Sequence, residues 1–147
     1  MMNEKINKKE INIELDHVAY AVKSTDKAIE AFSTMYSIVP IYKCLEKNQN
    51  VFITYLSNEN ESYKIELVEP AASPNPIENM LKSKDVVLYH LCYRVKDFKK
   101  AISYFKKKGF FMITAPFKIS TEKSVWACHF FNPQCGIIEI MGKYKNE

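Results

Sequence analysis

Glycine is scarce in this chain of 147 residues, which holds only three: Gly109, Gly136 and Gly142. Phosphate-binding loops and dinucleotide-binding fingerprints both need clustered glycines, because the backbone must come close to the phosphate groups. No two of these glycines are spaced to form either motif. A nucleotide-binding loop of either kind is therefore excluded.

Positive charge is not concentrated in any part of the chain. The sequence has 21 Lys+Arg against 17 Asp+Glu, a formal net charge of +4, and the lysines are scattered. Arg94 is the only arginine. Nucleic-acid-binding domains gather their basic residues on one face or stripe. No nucleic-acid partner is therefore expected.

Cysteine motifs and long apolar runs are also missing. The first ten residues are polar and rich in lysine, without the apolar segment of a secretory leader. No stretch approaches the roughly 18 consecutive apolar residues of a membrane-spanning helix. We expect reduced thiols, a cytoplasmic location, no membrane partner, and a frayed N-terminus over about the first dozen residues. The four cysteines, none in a C-x-x-C pair, are Cys44, Cys92, Cys128 and Cys135.

An internal repeat is the main feature that the sequence does have. An ungapped shift of 73 residues aligns residues 15–32, LDHVAYAVKSTDKAIEAF, with residues 88–105, LYHLCYRVKDFKKAISYF, with nine of 18 positions identical. The same shift places His17 on His90 and Glu66 on Glu139, so that a glutamate follows each histidine after 49 residues. The chain is therefore interpreted as two copies of one module within a single domain over residues 1–147.

Each copy has the pattern of a β-α-β-β-β module, which makes the predicted fold class α+β. Apolar residues alternate in the first strand of each copy, and helical spacing follows the N-cap residues Ser24 and Asp97. The second helix is expected to stop at Gly109. Module one spans about residues 13–69 and module two about residues 87–142, joined by a linker over 70–86 in which we expect one helical turn around 77–81. The predicted strands are 13–22, 39–46, 50–57 and 62–69 in module one, and 87–95, 110–115, 124–131 and 136–142 in module two.

Strand alternation places the paired residues on one face of each module. His17 and His90 lie opposite the bulky residues that should pack under the helices, and Glu66 and Glu139 lie opposite isoleucine and leucine. Two carboxylates in an apolar cavity are costly unless they bind a cation. We predict that these four residues bind one divalent metal ion, for which two imidazoles and two carboxylates suit Zn, Ni, Co, Mn or Fe better than Ca or Mg.

Three further residues have alternative interpretations. His129 is interpreted as structural, because Leu56 occupies its place in the other copy at the same shift of 73. Arg94 falls on the face of His90, where it can bind an anionic group of a substrate or form an ion pair with a nearby acidic residue. Trp126 can line the pocket and stack on a substrate, or it can belong to the core.

The motifs LDHVAYAV, KIELVEP, YHLCYRV and GIIEIMG resemble those of the vicinal oxygen chelate superfamily, in particular its methylmalonyl-CoA epimerase and glyoxalase I branch. The resemblance covers residues 13–141, nearly the whole chain, and matches all four predicted ligand positions. It implies a curved, open eight-stranded barrel, or cup, with a helix outside each module. Members of the family often form homodimers, so a homodimer is expected here.

The resemblance also implies metal-assisted proton transfer. A substrate with two neighbouring oxygens would chelate the ion and lose its α-proton to a glutamate, with Glu139 as the first candidate base and Glu66 as the second. The epimerase branch has an additional catalytic glutamate on the third strand of the first module, where this chain has Ile53. Glu46 and Glu59 lie too near strand ends to replace it. The missing glutamate weakens the case for epimerase activity in particular.

The function expected from these features is that of a metal-dependent isomerase or lyase. It would move an α-proton of a chelated acyl-CoA, a thioester or a 2-oxo compound. Two alternatives remain open at this point. One is an Fe(II) oxygenase, and the other is a protein that binds or modifies a small toxic molecule such as an antibiotic.

Overall fold

The computed structural model describes residues 7–35, 37–57 and 62–145. These residues contain both helices and strands, which confirms the predicted α+β fold class. The helices are α1 (Lys8–Ile11), α2 (Thr25–Phe32) and α3 (Phe98–Lys107). The strands are β1 (Glu14–Val22), β2 (Val39–Glu46), β3 (Val51–Ser57), β4 (Lys64–Pro70), β5 (Val86–Arg94), β6 (Phe111–Met112), β7 (Phe117–Lys118), β8 (Trp126–Asn132) and β9 (Gly136–Gly142).

The backbone divides into two compact units. The first unit is Asp16–His90, and the second combines Met1–Leu15 with Leu91–Glu147. The first unit has the strand order β2-β3-β4-β1, in which β1 runs parallel to β4 and the other pairs are antiparallel. In the second unit β5 runs parallel to β9, and β8 pairs with β9, β6 and β7. Each unit therefore builds its sheet on the same plan.

One helix covers one face of each sheet. In the first unit Ala28, Ile29 and Phe32 of α2 pack against a cluster that includes Leu56 and Leu67. In the second unit the core cluster holds residues of α3 together with residues of β8 and β9. Its fully or nearly buried members are Ile11, Val95, Phe98, Ala101, Phe105, Cys128, Phe130, Ile138 and Ile140.

The predicted starts of both helices and the predicted end of the second agree with the local geometry. Ser24 Oγ accepts a hydrogen bond from the backbone N–H of Lys27 at 3.2 Å, and Asp97 Oδ1 accepts one from the N–H of Lys100 at 3.1 Å. Both residues therefore cap helix N-termini as expected. Gly109 has φ +85°, the left-handed conformation that ends α3 and that glycine adopts without steric cost.

The strand predicted over residues 110–115 is wrong in its extent. Only the two-residue strand β6 forms within this range, and the equally short β7 follows it at Phe117–Lys118. The hydroxyl oxygen of Thr114 accepts the backbone N–H of His129 at 2.8 Å, so a side chain replaces a backbone partner at this point of the ladder. Pro116 follows and has no N–H to donate. These two residues interrupt the pairing that a continuous strand would need.

The N-terminus is more ordered than the sequence predicts from residue 7 onward. Asn7 caps α1 by accepting the N–H of Lys9 at 3.0 Å, and Ile11 is fully buried in the core of the second unit. The Ile11 carbonyl accepts the N–H of Lys96 at 2.8 Å. The predicted fraying is therefore wrong for residues 7–11, because one buried isoleucine anchors a segment whose other residues are polar.

The segment between β4 and β5 consists of turns. The backbone N–H of Leu81 donates to the carbonyl of Ile77 at 3.2 Å, which is the single helical turn predicted there, and both side chains are buried. Among the described helices, none is long and apolar enough to cross a membrane.

Candidate functional site

The register of the first unit brings His17 and Glu66 to the same face of the sheet. Ala19 pairs with Glu66 across β1 and β4, and alternation along β1 places His17 on the side of Ala19 and away from the helix-side residue Tyr20. Because alanine side chains are short, the face away from α2 has room for the imidazole and carboxylate groups. This arrangement agrees with the face predicted from strand alternation.

Three of the four predicted metal ligands meet within the first unit. His17 Nε2 lies 3.1 Å from Glu66 Oε2, and His90 Nε2 lies 4.0 Å from Glu66 Oε1. The two imidazole rings are 5.6 Å apart between centroids. His17, Glu66 and His90 are 0%, 4% and 3% exposed. Two imidazole nitrogens therefore converge on one buried carboxylate.

Asp16 is a site residue that the sequence analysis missed. Its Oδ2 lies 2.8 Å from His17 Nδ1, and its Oδ1 lies 3.9 Å from the Lys64 amino group. A carboxylate on the second ring nitrogen is the usual way in which proteins orient a histidine that binds a metal. Adjacent residues of a strand point to opposite faces, so strand alternation alone gave no reason to pair Asp16 with His17.

His17 lies between the carboxylates of Asp16 and Glu66, and its two contacts indicate whether these residues fit a metal ion. If a neutral His17 donates its Nδ1–H to Asp16, its Nε2 lone pair faces the oxygen of Glu66 only 3.1 Å away. Two lone pairs repel each other unless a proton or a metal cation lies between them. Atoms bound to one ion at adjacent positions lie about 3 Å apart when each bond is about 2.1 Å long. The donor set therefore fits a divalent metal ion.

Aromatic side chains surround the two histidines. Tyr55 lies directly opposite Glu66 on β3, and its ring is 5.4 Å from that of His17 in an edge-to-face arrangement. The ring of Tyr89 lies 4.4 Å from that of His90. The Lys64 amino group is 6.0 Å from the centre of the Tyr55 ring. These rings restrict the rotation of the imidazoles.

Glu139, the fourth predicted ligand, has its own set of partners in the second unit. Its Oε2 lies 3.0 Å from Nε2 of His129, the residue directly opposite it on β8. The other ring nitrogen of His129 lies 3.0 Å from the Thr114 hydroxyl, and the ring of Phe117 stacks on the imidazole with centroids 5.8 Å apart. His129 is therefore the cross-strand neighbour of a predicted site residue.

The strand register changes which residues of the two copies correspond. His129 faces Glu139 as Tyr55 faces Glu66, so its counterpart is Tyr55 and the earlier assignment of Leu56 is wrong. A shift of 74, not 73, relates β3 to β8. A slip of one residue moves every side chain of a strand to the other face. The shift of 73 therefore gave false partners throughout β3 and β8.

Trp126 is affected by this slip. Its register-equivalent is Phe52, and it lies on the helix side of the sheet, where it packs against the core cluster of the second unit. Its ring is 5.4 Å from that of Tyr144, and the Lys118 amino group lies 5.5 Å from its centroid. Glu139 and His129 are on the opposite face. The substrate contact predicted for Trp126 stays a prediction that its position does not support.

Arg94 forms the ion pair that was the alternative to substrate binding. Its two terminal nitrogens lie 2.6 and 3.0 Å from the two carboxylate oxygens of Glu122. The side chains are 36% and 41% exposed, so water screens the pair. A substrate anion would have to compete with Glu122 for the guanidinium, and the predicted role of Arg94 in substrate binding stays a prediction.

The position of the expected second base is apolar in the structure as in the sequence. Ile53 is buried on the Glu66 face of β3, where it pairs with Val68. Glu46, at the end of β2, shares that face and is buried, but ordinary strand spacings put its Cα about 16 Å from that of Glu66. Glu59 lies outside the described residues. Neither Ile53 nor Glu46 supplies a second base beside Glu66.

All four cysteines are thiols, as expected. Cys128 is fully buried on the helix side of β8, and burial together with the nearby charge of Glu139 raises the pKa of its thiol to about 12, although Lys106 opposes the shift. The thiol therefore stays protonated near neutral pH and is a poor nucleophile.

This chain belongs to the glyoxalase/bleomycin resistance protein/dioxygenase superfamily, whose family profile matches residues 16–127. The match covers most of the chain and confirms the resemblance found in its motifs. No match was found among curated proteins.

Solved structures share the fold at low sequence identity. Methylmalonyl-CoA epimerase from Mycobacterium tuberculosis has a TM-score of 0.78 and 17% identity, covering 95% of this chain and 93% of its own. A hypothetical protein from Bacillus halodurans has a TM-score of 0.76 and 21% identity, covering 92% and 98%. A variant of Streptomyces coelicolor methylmalonyl-CoA epimerase in complex with 2-nitronate-propionyl-CoA has a TM-score of 0.74 and 16% identity, covering 88% and 96%. At these identities the likeness establishes the fold.

Proposed function

We propose that His17, Glu66, His90 and Glu139 bind one divalent metal ion, one of Zn, Ni, Co, Mn or Fe. The observation that carries this proposal is the convergence of two imidazole Nε2 atoms on the buried carboxylate of Glu66. The repeat-equivalent position of Glu139 supports it as the fourth ligand. Asp16 would orient His17 through Nδ1, as second partners of metal-bound histidines do.

The proposed activity is that of a metal-dependent isomerase or lyase that moves an α-proton. A divalent ion bound at this site supplies Lewis-acid polarisation of the substrate's oxygens, which makes a neighbouring C–H proton more acidic. Glu139 then accepts that proton at a carboxylate oxygen, and Glu66 is the second choice for this role. An acyl-CoA is the preferred substrate class, because solved methylmalonyl-CoA epimerases share the fold, with other thioesters and 2-oxo compounds as further members of the class.

Among the proton-transfer reactions considered, epimerisation is the one that the residues of this site support least. It ordinarily needs a base on each face of the reacting carbon, and Ile53 supplies none. A single base would return the proton to the face from which it came or would exchange it with water. We therefore expect proton exchange to be faster than racemisation of methylmalonyl-CoA. Rapid racemisation would show that another residue provides the second base.

The decisive experiment measures proton exchange in deuterium oxide. The metal-loaded protein is incubated with a panel of acyl-CoAs and 2-oxo hemithioacetals, and deuterium at the α-carbon is measured by mass spectrometry. The Glu139→Gln variant is the matched control, because its amide oxygen can still bind a metal but cannot accept the proton. Oxygen uptake without α-exchange would contradict the proposal and indicate the Fe(II) oxygenase. Tight binding of a small toxic molecule without turnover would indicate the binding or resistance protein.

The predicted homodimer and the cytoplasmic location belong to the same proposal. Each follows from the family resemblance or from sequence composition. Sedimentation of the purified protein tests the first, and fractionation of cells tests the second.

A further inference from the structure

We infer that His129 is a positioning residue for Glu139: it holds Oε2 of the glutamate and leaves Oε1 as the oxygen that binds the metal ion and accepts the proton. The inference rests on the proposed function of Glu139. It adds a residue that neither the repeat nor the predicted ligand set includes. All the contacts that support it lie within the second unit.

The imidazole of His129 is held on three sides. Its Nε2 lies 3.0 Å from Glu139, its Nδ1 lies 3.0 Å from the hydroxyl of Thr114, and the ring of Phe117 stacks on its face at an interplanar angle of 25°. His129 is 1% exposed, so water does not compete for these contacts. A ring held in this way presents its Nε2 to Glu139 in one fixed direction.

The carboxylate that faces Nε2 of His129 favours a proton on that nitrogen, and the contacts of Thr114 are compatible with it. Its hydroxyl oxygen accepts the backbone N–H of His129 at 2.8 Å, and its own proton can be donated to Nδ1, which lies 3.0 Å away. A neutral His129 in this tautomer carries its proton on Nε2, which lies 3.0 Å from Oε2 of Glu139. The opposite tautomer would put a lone pair of Nε2 against the carboxylate. The tautomer is assigned from this network of hydrogen bonds.

The described contacts around Glu66 form a different network. The register-equivalent of His129 in the first unit is Tyr55, and the nearest imidazoles to Glu66 belong to His17 and His90. The Asp16 carboxylate contacts Nδ1 of His17, whereas the Thr114 hydroxyl contacts Nδ1 of His129. A neutral His17 that donates to Asp16 presents a lone pair to its glutamate, whereas His129 with its proton on Nε2 presents an N–H. This difference assigns metal binding to the first imidazole and positioning to the second.

Paired substitutions separate the positioning role from simple packing. His129→Leu removes the donor, whereas His129→Gln keeps an N–H on a side chain that reaches in the same direction. Co(II) affinity is measured by visible absorption, and unfolding midpoints are recorded for both variants. We expect His129→Leu to weaken Co(II) binding about 10–100-fold and His129→Gln to stay close to the unsubstituted protein. Equal affinities of the two variants would overturn the inference.

A second measurement does not need the metal. The chain has three histidines, so ring nitrogen signals in metal-free ¹⁵N-labelled protein can be assigned by substitution. We expect the proton of His129 on Nε2, with a resonance that moves upfield in Glu139→Gln because a neutral acceptor replaces a charged one. A proton on Nδ1 would overturn the inference. If the unsubstituted protein binds no Co(II), the proposed function fails, and the Nε2 resonance alone decides whether His129 holds Glu139.

Discussion

The two units hold equivalent glutamates in different surroundings. Glu66 faces Tyr55 across the sheet and receives His17, whose other nitrogen contacts a carboxylate. Glu139 faces His129, whose other nitrogen contacts a hydroxyl group. Tyr55 and His129 occupy equivalent positions opposite the two glutamates, so the difference arises from the side chains at those positions. Repetition of a fold therefore preserved the position of the carboxylates while their partners, and by our proposal their roles, diverged.

The largest expected effect distinguishes the two carboxylates in catalysis. Glu139→Gln is expected to lower α-proton exchange about 10²–10⁴-fold, because an amide cannot act as a general base. Glu66→Gln is expected to have a smaller effect per bound metal ion, since Glu66 is the second choice of base. Exchange in deuterium oxide is normalised to metal content in both variants. A greater loss per metal ion in Glu66→Gln would reverse the assignment of the base.

The next effect concerns metal content. The protein purified without chelators is expected to contain about one equivalent of a divalent metal, and His90→Ala is expected to lose most of it, because one of the two imidazoles at Glu66 is removed. Elemental analysis measures the content, and Arg94→Ala serves as a control whose ion pair is partly exposed. Equal metal content in His90→Ala and the unsubstituted protein would refute the ligand assignment.

The pH dependence of stability distinguishes a further pair of equivalent residues, Cys128 and Thr54. Burial and Glu139 raise the pKa of Cys128 from 9.0 to about 12, so between these pH values the unfolded chain loses a proton that the folded chain keeps. Stability therefore falls as pH rises above about 9. We expect metal-free protein to lose about 2 kcal/mol more than Cys128→Ala between pH 8 and pH 10.5. Chemical denaturation at the two pH values measures this, and parallel losses would contradict it.

The smallest effect concerns Thr54 itself. Its hydroxyl oxygen is buried and, among the described residues, has no hydrogen-bond partner. Thr54→Val should remove the cost of that hydroxyl and stabilise the protein by about 1 kcal/mol. The unfolding midpoint is expected to rise by about 2–4 °C. A fall in the midpoint would show that the hydroxyl has a stabilising partner in solution.

Much of the fold could be predicted because its signals are local. Alternating apolar residues mark β1 and β5, Ser24 and Asp97 mark the helix starts, and Gly109 marks the end of α3. The faces of His17 and Glu66 also follow from alternation within single strands. Residues 7–11 escaped prediction because the order of α1 depends on burial of Ile11 by the core of the second unit.

Less of the candidate site could be predicted. It depends on contacts between side chains on different strands, or between neighbouring residues that alternation places on opposite faces. Asp16 is next to His17 in the sequence, yet only the folded geometry joins its carboxylate to Nδ1. Thr114 lies in a segment predicted to be a continuous strand, and only the break in that strand brings its hydroxyl to His129. Neither contact has a periodic signal in the sequence.

The sequence by itself determined that the chain is a duplicated β-α-β-β-β module with a histidine and a glutamate at matched positions in each copy. Only the tertiary structure decided what lies opposite each glutamate. The connection between β3 and β4 is longer than that between β8 and β9, so the two hairpins pair in registers that differ by one residue relative to an ungapped repeat. Because side chains alternate along a strand, that single residue moves Trp126 to the helix side and brings His129 to Glu139.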